Sequence, residues 1–412
     1  MLGLNNLSMN LKKLLFISYI FCSIIPESFS QTTFNVEYVL GRTSPANEFF
    51  PELKVNQTLS LFVGKKHFSD DAWVKSLQNP ETGLLFQYSN YGNNEFVGSS
   101  YSLMPYLEIP LFYSKTKRLS LNSAIGASYF NKNYDDGKNW QNKAISTDFT
   151  WAYRMFLNYS IFSNKSIDTR ASIGYSHHSN GHVKWPNQGL NTFSVGLNLK
   201  FNPQKTHTDS ISLNDTKYAP VKFYHIKAGI GQQSIYRLDN DTKEVYSTSF
   251  SYGKIYKNTF KVGLGFFYTF YESYYDYIKD EKFLVNEDYP ELKKNPIYNS
   301  SAYGIFINGE LLMNHFAVEA QLGFNIDKPF YKIDYRLNSE IYVPETGDYI
   351  PNELDSYYTL KRYISGKLGL KYYAWNTKNM PKHNLSIGAY ICSNLGQADY
   401  SELSLGYTYI IK

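Results

Sequence analysis

One short stretch carries residue types able to do acyl-transfer chemistry: His177-His178-Ser179-Asn180-Gly181, then Pro186-Asn187-Gln188-Gly189 and Asn191. A serine hydroxyl is a weak nucleophile until a neighbouring base removes its proton, and histidine does this near neutral pH. A third group must hold the imidazole through its other nitrogen; a carboxylate does so best, and an amide also serves. Side chains two apart on a strand point to the same face, so His177-x-Ser179 can bring base and nucleophile together.

The flanking residues decide which face that is. Before the loop, Ala171, Ile173 and Tyr175 occupy odd positions, against Arg170, Ser172, Gly174 and Ser176 at even ones. After it, Phe193, Val195, Leu197, Leu199 and Phe201 are odd, against Ser194, Asn198 and Lys200. His177, Ser179 and Asn191 share the odd, apolar parity. A polar cluster on a lipid-facing surface is costly and usually functional. The plainer reading is a strand-end pair that steadies a loop, with Asn180-Gly181 as a turn signal; such a pair would cost less facing inward.

The elements that must position these groups read as β-strands. From Ile145 to Ile161 the odd positions are nearly all apolar or aromatic, and Phe260 to Phe270 repeats the pattern at even positions against Lys261, Gly263 and Gly265. Such a two-residue period is strand behaviour. With 39 tyrosines, 28 phenylalanines and 17% aromatic residues overall, the mean hydropathy is still only −0.40. That combination suits one apolar and one wet face, and no helix-length apolar run follows the N-terminal segment. The expected fold is all-β: a transmembrane antiparallel β-barrel of the outer-membrane type, with about 16 strands (12–16). Short turns near Ser114–Arg118, Asn164–Ser166, Lys257–Asn258 and Asn314–His315 alternate with long loops at Tyr274–Asn299 and Asp327–Ser356. Short turns belong on the periplasmic side, so the loop Gly181 to Leu190 is external. The polar segment Asn202–Val221 is compatible with a turn in one large barrel or a link between two small ones. One barrel over 31–412 is the expectation, because a single sheet needs to close only once. Its halves are 31–201, with the active-site hairpin 169–201, and 222–412.

The first 30 residues read as a signal peptide: Lys12 and Lys13, an apolar run Leu14 to Ile25, then Ser28-Phe29-Ser30 before Gln31. Export to the outer membrane of a Gram-negative bacterium is therefore expected. Removing that segment leaves Cys392 alone, which excludes an intramolecular disulfide and a cysteine-based metal site. The net charge of +5 is small for 412 residues, and no nucleic-acid motif or basic stripe stands out. Near the end, Ser404, Gly406, Tyr409 and Ile411 are similar to the C-terminal assembly signal of outer-membrane barrels, with Lys412 departing from it.

Here a resemblance enters. His177-x-Ser179-Asn180 followed by Pro186-Asn187-x-Gly189 resembles the active-site hairpin of the outer-membrane lipid A 3-O-deacylase (PagL-type) family. Longer relatives of this acyloxyacyl hydrolase type, with an ending that resembles Gly396-Gln397-Ala398-Asp399, would span the whole chain. The resemblance implies a serine esterase that removes an ester-linked acyl chain from lipid A of lipopolysaccharide. His177 would be the base, Ser179 the nucleophile and Asn187 an oxyanion-stabilising amide, with Asn180, Gly181 and Gly189 supporting the loop. Where the small deacylases carry a glutamate, this chain has Asn191. An asparagine third member resembles the triad of outer-membrane phospholipase A instead. That makes a phospholipase the alternative, and calcium a cofactor only in that case; otherwise no cofactor or metal is expected.

Other groups compete poorly for these roles. Asp148 and Arg170 have inward parity and are expected to pair inside the barrel; with Arg154 they are candidates for pore charges or for a packed, plug-like network. Asp135 and Asp136 sit on a neighbouring external loop. His178 has inward parity, and His182 lies in the loop, where it would meet a headgroup or nothing. A non-catalytic pore remains a third reading, since 16 strands in one barrel enclose a water-filled lumen.

Overall fold

A computed structural model describes residues 32–47, 50–111, 118–201, 219–237, 239–338, 340–343, 348–351 and 355–411. The expected signal segment, most of the segment between the two halves and Lys412 lie outside the described residues. Eight strands form the first half: β1 (Thr32–Ser44), β2 (Asn56–Lys66), β3 (Glu81–Asn90), β4 (Ser99–Pro110), β5 (Leu119–Phe130), β6 (Phe149–Ser163), β7 (Ile167–Ser179) and β8 (Leu190–Phe201). Each pairs antiparallel with the next, and β8 returns to β1 from Phe34↔Phe201 to Ser44↔Asn191. The second half repeats this with β9 (Val221–Gln233), β10 (Lys243–Tyr256), β11 (Phe260–Tyr271), β12 (Ser301–Met313), β13 (Phe316–Asp327), β16 (Ile364–Tyr373), β17 (His383–Asn394) and β18 (Gln397–Ile411). There β18 closes onto β9, while β14 (Glu340–Val343) and β15 (Asp348–Pro351) make a separate hairpin.

The strand number expected from the sequence is therefore met, but the single barrel is not: the sixteen barrel strands close twice, into two barrels of eight. The lumen residues explain why. Eight strands leave an interior just wide enough for side chains to fill, and each half carries its own set of paired charges. In the N-terminal barrel Arg154 meets Glu37 at 2.7 Å, Arg170 meets Glu108 at 2.6 Å and Lys200 meets Glu81 at 2.6 Å. In the C-terminal barrel Lys261 and Lys371 share Glu310, each at 2.8 Å, Lys227 and Lys371 reach Glu319, and Lys367 binds Glu402. All six carboxylates are buried. Arg170 thus pairs with Glu108 and not with Asp148, whose exposed carboxylate accepts from Asn133 at the external rim. Arg154 is packed, not a pore charge.

Outside, the alternation delivers apolar side chains to the membrane: Ile173, Leu197, Leu264 and Leu405 are each more than half exposed. A charged face on the lumen and an exposed apolar face outside identify outer-membrane-type barrels. No helix among the described residues is long and apolar enough to cross a membrane.

At the end opposite the short turns, both lumens are covered. Over the N-terminal barrel, Tyr91, Val97, Phe130, Ala144, Ile145 and Leu190 form a small core. Ile145 belongs to this loop core, so β6 begins at Phe149 and not, as the alternation suggests, at Ile145. Over the C-terminal barrel, the helices Glu272–Lys279, Phe283–Glu287 and Tyr331–Asn338 bring Tyr274, Ile278, Leu284 and Ile333 together above the lumen. The long loops expected at 274–299 and 327–356 are largely these caps.

The two barrels touch at both ends. On the short-turn side, Asp71 binds Lys378 at 2.5 Å and accepts from Asn314 at 3.3 Å. On the other side, the loop after β7 lies against the second barrel.

Candidate active site

Strand β7 ends in the groups singled out above, and its register fixes their neighbours. His177 pairs with Asn191 across β7–β8, and with Tyr153 across β6–β7; Ser179 pairs with Trp151. Odd residues of β7 point outward, since Ile173 is exposed to the membrane side while Arg170, Ser172 and His178 are buried inward. His177, Ser179 and Asn191 are therefore brought together on the outer wall, at the external end of the strands.

Asn191 Oδ1 accepts from His177 Nδ1 at 2.7 Å. That bond sets the tautomer: with the proton on Nδ1, Nε2 is left as the basic nitrogen. Tyr175 donates its hydroxyl to the same Oδ1 at 2.6 Å. Asn191 thus presents its oxygen, not NH2, to both the imidazole and the phenol. Tyr175 escaped sequence reading because an aromatic at an odd position passes for one more membrane-facing residue. Its signal was positional: Tyr175, His177 and Ser179 are i, i+2 and i+4 on one face.

Ser179 is buried, and its Oγ accepts from Asn187 Nδ2 at 2.9 Å and from the Gly181 backbone N–H at 3.2 Å. Both lone pairs are thereby engaged, which leaves the hydroxyl proton free to be given away. No hydrogen bond joins Ser179 to His177 among the described residues. Catalytic hydrogen bonds are often long or misaligned without substrate.

The loop itself is heavily braced. Asn187 Oδ1 accepts from the Asn180 backbone N–H at 3.0 Å, which aims its Nδ2 at Ser179. Asn180 donates to Ser146 Oγ and to the Lys184 carbonyl, and accepts from the His182 backbone N–H. Gly189 has φ +70°, and a Cβ there would stand 2.9 Å from the His178 carbonyl and 3.3 Å from His177 Cε1. Only glycine gives both the left-handed backbone and open space above the site. Asn180, Gly181, Asn187 and Gly189 thus all lie at the cluster that the sequence named.

The competing groups are committed elsewhere. His178 turns inward, bonds Ser128 and packs edge-on against Tyr91 and Phe130. Asp135 caps its own turn: the backbone N–H groups of Lys138 and Gly137 hold its carboxyl below the usual aspartate range. Asp136 accepts from Tyr134. His182 donates its Nδ1 proton to the Ala398 carbonyl at 2.8 Å, and its carbonyl accepts from Ser234. It is a tie to the second barrel, not a headgroup contact. Among the described residues, no group of three or more His, Cys, Asp or Glu is arranged to hold a metal ion.

Comparisons with known proteins bear on the family and the fold. Residues 58–200 match the family model for lipid A 3-O-deacylase (PagL), and residues 222–342 match that for the acyloxyacyl hydrolase C-terminal domain. No curated protein matches the chain. Among solved structures, one titled as a crystal structure of the outer membrane enzyme PagL is 16% identical, covers 40% of this chain and 97% of its own, and has a TM-score of 0.28. A porin mutant from Rh. blastica is 8% identical over 92% of this chain and 99% of its own, with a TM-score of 0.18. An outer membrane channel from Pseudomonas putida is 9% identical over 94% and 100%, with a TM-score of 0.19. The two family models fall one on each barrel, and the chain belongs to the outer-membrane lipid A 3-O-deacylase (PagL) family, in a long form with the acyloxyacyl hydrolase C-terminal domain.

Proposed function

We propose that the family's reaction, hydrolysis of a lipid A acyl ester, is carried out here by Ser179 as nucleophile, His177 as general base and acid, and Asn191 as the group that holds His177. The observation that carries this reading is the 2.7 Å bond from His177 Nδ1 to Asn191 Oδ1, on the outward face that also bears Ser179. Ser179 Oγ attacks the ester carbonyl while His177 Nε2 takes its proton. The oxyanion is stabilised by Asn187 Nδ2 and the Gly181 N–H, donors already gathered at Oγ. His177 returns the proton to the departing sugar oxygen, and water then releases the fatty acid from Ser179 by the reverse sequence. The membrane delivers the substrate, since the site opens at the external end of the barrel wall.

A neutral amide stabilises imidazolium less than a carboxylate does. In a serine-protease triad the carboxylate-to-amide change drops kcat ~10⁴-fold, in large part through the wrong tautomer. Here Asn191 accepts from Nδ1, so the tautomer is right and what the amide lacks is the carboxylate's charge. Residues 1–30 would serve as the export signal.

The test is lipid A from cells expressing the wild type or Ser179→Ala, compared by mass spectrometry. Loss of one acyl chain with the wild type and a full acyl complement with the variant is expected. A deacylated product with Ser179→Ala would contradict the assignment. Phospholipid, presented in parallel with and without calcium, is expected to be the poorer substrate.

A further inference from the structure

Between the two barrels lies an apolar cleft of about 1190 Å³. Its walls are the membrane-facing sides of both barrels: Leu84, Ile125 and Tyr153 from the first, Val262, Leu370 and Leu403 from the second. Ile125 has outward parity beside Tyr153 yet is only 7% exposed, so the second barrel shields it. Ligand pockets commonly run ~300–1,000 Å³, so this space is large enough for an extended chain.

Its outer end adjoins the candidate site. Tyr153, which lines the cleft, is the strand neighbour of His177, and Trp151, the neighbour of Ser179, donates to Ser401 Oγ of the second barrel at 2.9 Å. Ser401 stands two residues before Leu403 on the same outward face of β18. A Cβ on Gly181 would come within 2.1 Å of Ser401 Oγ, so the nucleophile's loop is seated directly on the second barrel. At the periplasmic end, Trp73, Val74 and Leu77 pack with Leu107, Ile109, Leu311 and Met313 and close the space. The second barrel's wall is kept low inside it: a Cβ on Gly309 would meet nothing within 4 Å, and Ala389 is also small.

We propose that this cleft holds a fatty-acyl chain of the lipid whose ester Ser179 cleaves, and that the second barrel thereby sets acyl-chain length. The proposal rests on the reading of Ser179 as the nucleophile. An ester at Ser179 lies at the outer rim of the membrane, and its chain descends between two apolar walls until the Trp73 wedge stops it. A site that offers only one barrel wall leaves the chain among bulk lipids and measures nothing.

The test uses the full chain in lipid vesicles with ester lipids of graded acyl length. Gly309→Trp fills the deep end of the cleft and Ala389→Trp its middle, whereas Leu264→Trp lies on the open membrane face as a control. A missing methylene contact in an apolar pocket is worth ~10-fold or more. The ratio of kcat/KM for long over short chains is expected to fall at least that much in the two cleft variants and to stay put in the control. An unchanged ratio in both cleft variants would overturn the proposal. If either variant fails to fold, a lipid with a photoreactive acyl chain, applied to Ser179→Ala, decides instead. Crosslinks concentrated on Ile125, Leu370 and Leu403 support the cleft, and crosslinks spread evenly to Leu197 and Leu264 overturn it as bulk lipid. The two readings fail differently: if Ser179 is not the nucleophile, Ser179→Ala stays active, whatever the cleft variants do.

Discussion

The two barrels solve the same packing problem and only one of them carries the candidate chemistry. Each closes eight strands around a lumen filled by paired charges, Arg154–Glu37 and its neighbours in one, Lys261–Glu310 and Lys371–Glu319 in the other. Buried charge is therefore not what marks a functional site in this molecule; it fills the lumen. What differs is the external rim. The C-terminal barrel spends its long connections on helical caps that seal the lumen. The N-terminal barrel has a compact loop after β7, braced by the 143–146 segment and by the second barrel, and it holds polar groups on the outer wall.

Substitutions at the rim should hit turnover hard and stability little. His177→Ala is expected to lower kcat by on the order of 10⁴–10⁶-fold, as loss of a triad base does. Asn191→Ala should follow at ~10³–10⁴-fold, whereas Asn191→Glu, which restores a carboxylate, should raise kcat above the wild type. Fatty-acid release from lipid A in vesicles measures both; a near-normal rate in His177→Ala would erase the distinction between the rim and the lumen.

Lumen substitutions should do the reverse, in either barrel. Arg154→Ala leaves Glu37 buried without its cationic partner, at ~3–5 kcal/mol, whereas Lys371→Ala still leaves Lys261 on Glu310 and Lys227 on Glu319 and should cost less. Urea unfolding in lipid should report that loss, with kcat per folded molecule unchanged for Arg154→Ala. Neither filled lumen should conduct ions in single-channel recordings; a steady open conductance would refute the packed-lumen account.

Smaller effects sharpen the picture. Tyr175→Phe removes one of two donors from Asn191 Oδ1, a neutral bond worth ~0.5–1.5 kcal/mol, so kcat should fall by a factor of several with KM unchanged. The smallest effect is at the opposite end. The Lys378 ammonium holds the Asp71 carboxyl below the usual aspartate range, and Asn314 adds to this. Because the folded pKa is depressed, this tie between the barrels is fully present above the free-carboxyl value and lost as pH falls through the folded one. As a surface pair it contributes ~1 kcal/mol or less, and the Asp71→Asn variant should lack that part of the acid dependence of unfolding.

Much of the site was legible because strand parity is a local property. The odd positions of His177, Ser179 and Asn191 among apolar neighbours place them on one face without any knowledge of the fold, and the structure has them there. Strand number is equally local, since each strand has its own alternation and turns. Closure is not. Whether β8 pairs with β1 or with β9 depends on partners that are far apart in the chain, and both pairings present the same alternation to a reader of the sequence. The tie of His182 to Ala398 and the bond from Trp151 to Ser401 were hidden for the same reason: they join residues more than 200 positions apart. The Asp148–Arg170 pairing failed because parity says which way a side chain points and nothing about depth, and Asp148 lies at the rim.

The central claim is that the reactive group sits on the outer wall at Ser179, made nucleophilic by His177. A fluorophosphonate applied to the protein in lipid vesicles, with the modified residue located by peptide mass spectrometry, tests it most directly. The account predicts a stoichiometric adduct on Ser179 in the wild type and almost none in His177→Ala. A deacylating protein that resists the reagent, or carries the adduct on another residue, would contradict it.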